Sequence, residues 1–315
     1  MEIRSPIDLG CGIHLVDLMD MGYERRTGAY VLQSDKGWSI VETGASPSIH
    51  FLLQGLEDLG IPLHRVDYVI VTHVHLDHAG GAGQLMQRLP NARLVVHPKG
   101  APHMIDPSRL IQGARAVYGA RFEELFAPVL PVPSERVKVV SDGEVLDIGG
   151  RTLAILDTPG HAFHHLALHD QESGGIFTGD NVGIRYPKLE ESGTHLFIPS
   201  TSPTQFDPEM MLATAARLVS MRPQRFYMGH FGCTSEVEAA IEGLRHWIPR
   251  WIACGRIAAD KGEGVEGLQQ RILTEIEQTV PWPAKVPQDV QELLRFDSLI
   301  NAQGIHHYFS RQSGA

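Results

Sequence analysis

One stretch, Thr72-His73-Val74-His75-Leu76-Asp77-His78-Ala79-Gly80-Gly81, constrains this chain more than any other. Three imidazoles and a carboxylate fall within six consecutive residues, directly after the apolar run Val66-Asp67-Tyr68-Val69-Ile70-Val71. That run reads as a buried strand, and Gly80-Gly81 followed by Gln84 to Leu89 reads as the helix that leaves it. The donors therefore sit on a strand-to-helix turn. On an extended backbone His73 and His75 project to the same side, because strand side chains alternate. Asp77 and His78 lie past the strand end, where the turning chain aims them at a neighbouring point. Four donors this close cannot all wrap one tetrahedral ion, so the turn suits two adjacent metal ions. The bland alternative is a loop of surface histidines. Histidine and aspartate ligate metals readily, however, and such a cluster has no packing rationale.

Three later positions share one context, a metal-ligand type placed just after a predicted strand and among glycines. Asp157-Thr158-Pro159-Gly160-His161 follows a strand ending at Leu156, Thr178-Gly179-Asp180 follows one at Ile176, and Gly229-His230-Phe231-Gly232 follows Arg225 to Met228. Each glycine lets the backbone turn sharply or come close to a site. A lone histidine after a strand is more often a hydrogen-bonded structural residue. Three such positions, in order and after the first cluster, point to one shared site.

Strand-like text runs through Ile13 to Asp17, Ala29 to Leu32 and Trp38 to Glu42, with turn residues such as Asp35-Lys36-Gly37 between. Ser48 to Leu59 has helical apolar spacing, and the strand Val66 to Val71, the helix that leaves it and the strand Arg93 to His97 form a βαβ unit. Residues 98–133 are irregular and helix-prone, with Tyr118, Phe122, Leu125 and Phe126 as candidate pocket walls. A connecting subdomain and a substrate lid fit that region equally. Short strands resume at Val137 to Val140, Glu144 to Ile148, Thr152 to Leu156, His165 to His169 and Gly175 to Thr178. A helix from Pro208 to Met221 precedes the last strand. After Cys233 the pattern becomes helical throughout, over Glu236 to Trp251, Val265 to Thr279 and Pro287 to Ala302. The expected organisation is a catalytic domain over 1–235 and a helical region over 236–315 packed on it.

Composition excludes some classes. A formal net charge of −10 argues against a protein that tracks nucleic-acid phosphates or anionic membranes. No apolar run approaches a transmembrane span, and Met1-Glu2-Ile3-Arg4-Ser5-Pro6 lacks a signal-peptide core, so a cytoplasmic location is expected. Cys11, Cys233 and Cys254 are odd in number and far apart, which predicts neither a disulfide framework nor a thiolate zinc site. Histidine is abundant at 17 copies, so any metal site is built from imidazole and carboxylate.

On these residues the chain resembles the metallo-β-lactamase superfamily. The family signature His-x-His-x-Asp-His is matched by His73, His75, Asp77 and His78, and the later histidine, acidic bridge and final histidine by His161, Asp180 and His230. Glu42-Thr43-Gly44 matches a further landmark, where many members carry aspartate in place of Glu42. The resemblance covers residues 10 to 235 and implies an α/β fold, an αββα sandwich of two mixed sheets with helices outside. It implies two divalent ions, with zinc expected and iron or manganese accepted by the same donors. His73, His75 and His161 would hold one ion, Asp77, His78 and His230 the other, and Asp180 would bridge them. Glu42 would support the cluster without binding metal. Of His164 and His165, one would orient a ligand or face the core, and His165 is the candidate carried forward.

The implied reaction is hydrolysis, with Asp77 orienting the attacking water and relaying its proton to the leaving group. Within the superfamily the resemblance leaves the glyoxalase II-like and lactonase-like group, which acts on esters, thioesters or lactones of small molecules. The helical tail after His230 is similar to the C-terminal region of glyoxalase II-like members. A subgroup of the superfamily's hydrolases resembles the chain further in Pro159-Gly160-His161-Ala162-Phe163-His164-His165, in Gly179-Asp180-Asn181-Val182-Gly183-Ile184-Arg185-Tyr186-Pro187, and in His230-Phe231-Gly232. Arg185 and Tyr186 follow the bridging aspartate, so Tyr186 is a candidate donor to an oxyanion and Arg185 a candidate partner for a substrate carboxylate. The alternative is that both are packing residues. Competing activities are an iron-dependent oxidoreductase, a phosphodiesterase, and a non-enzymatic metal-bearing protein. A small-molecule substrate is expected as the partner, and a homo-oligomer is left open.

Overall fold

The computed structural model describes residues 5–313. Met1 to Arg4, on which the reading of the N-terminus partly rests, lie outside the described residues. The chain divides into two compact units, the first built from residues 1–158, 164–179 and 223–235, the second from 159–163, 180–222 and 236–315. The C-terminal helices therefore share a unit with 180–222, which sequence alone assigned to the catalytic domain.

The first unit holds two mixed sheets. In one, β1 (Ile7–Asp8), β2 (Ile13–Asp17), β3 (Gly28–Gln33) and β4 (Trp38–Val41) form an antiparallel meander; β5 (Val66–Ile70), β6 (Arg93–Val96) and β7 (Val137–Val139) continue it in parallel. The crossovers carry α1 (Ile49–Asp58), the short α2 (Leu76–Ala79), α3 (Ala82–Arg88), α4 (Ala101–Ile105), α5 (Ser108–Tyr118) and α6 (Phe122–Phe126). The second sheet begins with β8 (Val145–Asp147), β9 (Thr152–Asp157), β10 (Leu166–Asp170) and β11 (Gly175–Gly179). From there the chain makes a two-stranded ribbon of the second unit, β12 (Ile184–Arg185) and β13 (Phe197–Ile198). It returns with β14 (Arg225–Met228), parallel to β11, and β15 (Cys233–Thr234).

Period-two alternation decides which side of the first sheet each residue faces. Leu15, Tyr30, Val41, Ile70 and Val95 pack with Ile155, Leu168, Phe177 and Tyr227 of the second sheet, giving a core between the sheets. Their chain neighbours Val16, Val31, Ile40, Val69 and Leu94 face the other way, against Leu52, Leu56, Leu85 and Met86 of α1 and α3. Helices flank the two sheets and a C-terminal helical region follows, so the architecture is the expected one.

The helix-prone region 98–133 becomes α4, α5 and α6. Phe122, Leu125 and Phe126 are buried and pack with Ala45 and Leu76, so these side chains back the donor-bearing turn instead of lining an open pocket.

The second unit contains α7 (Pro187–Glu190), α8 (Pro208–Ser220), α9 (Val237–Lys261), α10 (Gly264–Thr279) and α11 (Gln288–Ser313). The helix expected to end near Trp251 continues through Pro249 to Lys261. Burial of Trp251, Cys254, Gly255 and Ala258 outweighs the backbone hydrogen bond that the proline removes. Among the described residues no helix is long and apolar enough to cross a membrane.

Candidate metal centre

Within the first unit the donors meet where β5 ends. His73 and His75 rings lie edge-on with centroids 4.6 Å apart, and His73 and His78 rings are 4.3 Å apart. α2 begins after His75 and its single turn carries Asp77 and His78. His230 arrives from the loop after β14, its ring 5.4 Å from that of His78. Asp77 Oδ2 lies 3.5 Å from His78 Nε2 and 3.7 Å from His230 Nε2. Ligand atoms of Asp77, His78 and His230 all lie within 4.8 Å of one another. Two imidazoles and a carboxylate so arranged fit a divalent transition metal with open positions left for solvent, and the imidazoles suit such an ion better than calcium or magnesium. His73, His78 and His230 are buried, while the Asp77 side chain is 25% exposed and His75 is half-buried, which opens the site on that side.

Each donor is held from behind. Thr72 Oγ1 donates to Glu42 Oε1 at 2.5 Å, so its oxygen is left to accept from His73 Nδ1 at 3.0 Å. That bond places the His73 proton on Nδ1 and turns the Nε2 lone pair to the site. Glu42 also accepts from the Thr72 amide at 3.3 Å, and its Oε2 lies 3.7 Å from His78 Nδ1. It takes this position with a left-handed φ of 69°, a conformation that costs a non-glycine residue about 1 kcal/mol or more. His165 stacks beneath His73 at 4.9 Å and hydrogen-bonds Thr158 Oγ1 through Nδ1 at 2.8 Å. His164 Nδ1 accepts from the Val74 amide at 3.4 Å. The His230 loop is clamped across the sandwich, where the Tyr30 hydroxyl reaches the carbonyls of Met228 and Gly232 at 2.6 and 2.7 Å.

In the second unit His161 Nε2 lies 3.6 Å from Asp180 Oδ2. His161 Nδ1 donates to the Ser200 carbonyl at 2.7 Å, and Ser200 Oγ donates to Asp180 Oδ2 at 3.0 Å. Asp180 is one peptide bond beyond Gly179. A side chain at Gly179 would meet Thr72 Oγ1 and His165 Nε2, each at 2.5 Å, so only glycine carries β11 past that point.

Arg185 and Tyr186 each have a carboxylate partner in the second unit. The Arg185 guanidinium pairs with Glu190, and the Tyr186 hydroxyl, buried, donates to Asp297 of α11 at 2.6 Å. Both polar ends thus meet carboxylates of their own unit.

Asp20 escaped the sequence reading. It is 3% exposed, on a turn after β2 flanked by the left-handed residues Met19 and Met21. Burial, reinforced by the Asp77 charge and only partly offset by Arg26, His230 and His78, pushes its carboxyl up to about 6. The available signal was the context used for the later ligands, an acidic residue just past a strand and close to a glycine, Gly22. Tyr30 and Ser200 gave no such signal.

The chain belongs to the metallo-beta-lactamase superfamily, whose family model matches residues 23–230. The metallo-beta-lactamase fold-containing protein ST1585 of Sulfurisphaera tokodaii is 25% identical over 227 residues, 71% of this chain and 80% of that protein. The solved structure of ST1585 superposes with a TM-score of 0.69 at 21% identity, covering 94% of this chain and 98% of that one. An atrochrysone carboxyl ACP thioesterase of Aspergillus fumigatus is 33% identical over 118 residues, 38% of this chain and 28% of the relative. A hydroxyacylglutathione hydrolase of a Synechococcus strain is 30% identical over 131 residues, 42% of this chain and 39% of the relative. The chain thus spans well under half of these last two.

Proposed function

We propose that the protein is a metal-dependent hydrolase of small-molecule esters, thioesters or lactones, working at a dinuclear site. The observation that carries this reading is the Asp77, His78 and His230 trio, with donors converging at the edge of the sandwich in a chain of this superfamily. The proposed ligand sets are His73, His75 and His161 for one ion and Asp77, His78 and His230 for the other, with Asp180 shared. Two divalent ions, zinc by preference, would supply water activated near neutral pH and polarisation of the acyl oxygen. The names of the thioesterase and the hydroxyacylglutathione hydrolase support acyl transfer to water over phosphodiester cleavage.

The chain's own residues then have defined tasks. Asp77, the carboxylate of the trio and its most accessible side chain, orients the attacking water, holds its proton at Oδ and passes it to the leaving group. Glu42 and Thr72 keep His73 in one tautomer, and Tyr30 keeps the His230 loop in place. The buried imidazoles exclude water from the back of the site, leaving the Asp77 and His75 side for substrate entry. Arg185 and Tyr186 have no part in the proposal.

The test is a hydrolysis panel of thioesters, lactones, phosphodiesters and β-lactams on protein whose metal content has been measured. Turnover of a thioester or lactone, with two zinc or manganese ions per chain, is expected. Exclusive phosphodiesterase activity, or iron with oxygen uptake, overturns the reading. Asp77→Ala and Asp180→Ala should each lose a metal and most activity, and full metal content in either refutes its assignment.

A further inference from the structure

The histidine and aspartate that the second unit contributes are not held by their own loops alone. Both depend on Ser200, whose carbonyl accepts from His161 Nδ1 at 2.7 Å and whose hydroxyl donates to Asp180 Oδ2 at 3.0 Å. Ser200 lies just after β13, and the next residue is gripped by α11. Asn301 Oδ1 accepts from the Thr201 amide at 2.6 Å and from Thr201 Oγ1 at 2.8 Å. The Thr201 hydroxyl also lies 2.9 Å from the Asn301 carbonyl. Thr201 and Asn301 are each 1% exposed, so these bonds have no competing water.

The helices come unusually close to this segment, and glycine permits it. A Cβ on Gly304 of α11 would lie 1.6 Å from the Thr201 carbonyl oxygen. A Cβ on Gly243 of α9 would lie 2.7 Å from the Phe197 carbonyl oxygen. The run 197–201 is thus gripped by two helices at contact distance, with a side-chain amide fixing its register. Carboxylate and imidazole ligands lose affinity when the groups that orient them are removed, by about ten- to a hundredfold.

We infer that α9 and α11 set the aim of the second unit's two ligand residues, with Ser200 and Asn301 as positioning residues. Ser200 touches the ligands directly, and Asn301 acts through Thr201. The C-terminal helices are then part of the metal-holding apparatus although none of their side chains is a ligand. This inference rests on the proposed roles of His161 and Asp180.

The experiment titrates metal-free, full-length protein with cobalt(II), following the visible absorption of the bound ion, and records the melting temperature of the same metal-free samples. Ser200→Ala is expected to weaken cobalt binding by about ten- to a hundredfold and to shift the spectrum of the bound ion. Asn301→Ala and Thr201→Val are expected to weaken it by about tenfold, with Thr201→Ser restoring it because the hydroxyl is kept. Gly304→Ala should act in the same direction. If Gly304→Ala does not fold, the milder Ser200 and Thr201 variants still decide the matter. A lowered melting temperature with unchanged cobalt affinity and spectrum in Ser200→Ala and Asn301→Ala overturns the inference, because that pattern marks a merely structural role. His161→Ala and Asp180→Ala serve as references. Unchanged cobalt binding in both of these overturns the ligand assignment itself, a different outcome from loss in the references with no effect at Ser200.

Discussion

Replacing Arg151 by alanine should destabilise the protein strongly while leaving metal binding intact. The Arg151 side chain is 1% exposed and that of Asp170 is 0% exposed. Arg151 donates to Asp170 Oδ1 from Nε at 2.9 Å and to Oδ2 from Nη2 at 2.5 Å. Its Nη1 reaches the carbonyls of Cys11 and Gln33 at 2.7 and 3.2 Å, so one guanidinium pins both sheets together. The register Ile13 to Leu32 and Asp17 to Gly28 places this staple at the end of β2 and β3 remote from the donor turn. Removing one partner of a buried ion pair costs about 3–5 kcal/mol, since the other charge stays buried. Asp170 keeps bonds from the Ser173 amide at 3.1 Å and hydroxyl at 2.5 Å, which places the expectation near the lower end, about 3 kcal/mol. That is roughly a fifth to more than a half of an ordinary domain's stability.

The pH dependence gives a second reading. Burial alone would raise the Asp170 carboxyl, but hydrogen bonds from Arg151 and Ser173 together with the Arg151 charge hold it below the ordinary 3.8. A depressed folded-state value means that the contribution is present above the unfolded value and is lost as pH falls through the folded one. Without Arg151 only burial and Ser173 act, the carboxyl rises, and the deficit of the variant should shrink on acidification from pH 7 toward about pH 4. Urea unfolding at several pH values measures both effects. Replacing the pair together, as Arg151→Met with Asp170→Leu, should recover most of the loss. A deficit below about 1 kcal/mol at pH 7, or one that stays constant on acidification, would refute the reasoning.

Asp20 should titrate with the opposite sign. Its folded value of about 6 lies above the ordinary 3.8, so stability of the metal-free protein is fully present below about pH 4 and is lost as pH rises through 6, by about 3 kcal/mol. Asp20→Asn should remove that slope, and parallel stability curves for variant and parent between pH 4 and 7 would contradict the assignment. Tyr30→Phe leaves the carbonyls of Met228 and Gly232 without their shared donor, which should cost about 1–3 kcal/mol and speed metal loss to a chelator. An unchanged chelation rate would show that the clamp does not govern the His230 loop. Gly179→Ala combines a left-handed φ of 49° with clashes at Thr72 and His165, so the folded yield should fall sharply, and an alanine variant with parental stability would disprove the close approach.

Much of the first unit was readable in advance because local chemistry dictated it. Alternating apolar residues in β2 to β6 can bury both faces of a sheet only in the register seen, and the strands expected at Ile13 to Asp17 and Arg225 to Met228 have those bounds. The donor turn was readable because its residues are contiguous, so the strand end and the first turn of helix bring His73, His75, Asp77 and His78 together without help from distant chain. Less was readable where a choice depended on a remote partner. Nothing local to Tyr186 signals the bond that its hydroxyl makes to Asp297, 111 residues later. Tyr30 looked like an ordinary strand aromatic, and its hydroxyl meets carbonyls 198 and 202 residues away. The helix expected over Glu236 to Trp251 runs on to Lys261, carried there by burial of the turns after Trp251.

Sequence alone therefore determined the strand faces, the strand-to-helix turn and the side chains gathered on it, since each rests on neighbours within a few residues and on side-chain chemistry. Tertiary structure decided how the donors are aimed. The hydrogen bond from Tyr30 to the His230 loop, the raised carboxyl of Asp20 and the grip of α11 on Thr201 arise between segments far apart in the chain. A hydrogen bond's strength and a buried group's proton affinity depend on distance, direction and exclusion of water, quantities that exist only once the chain has packed.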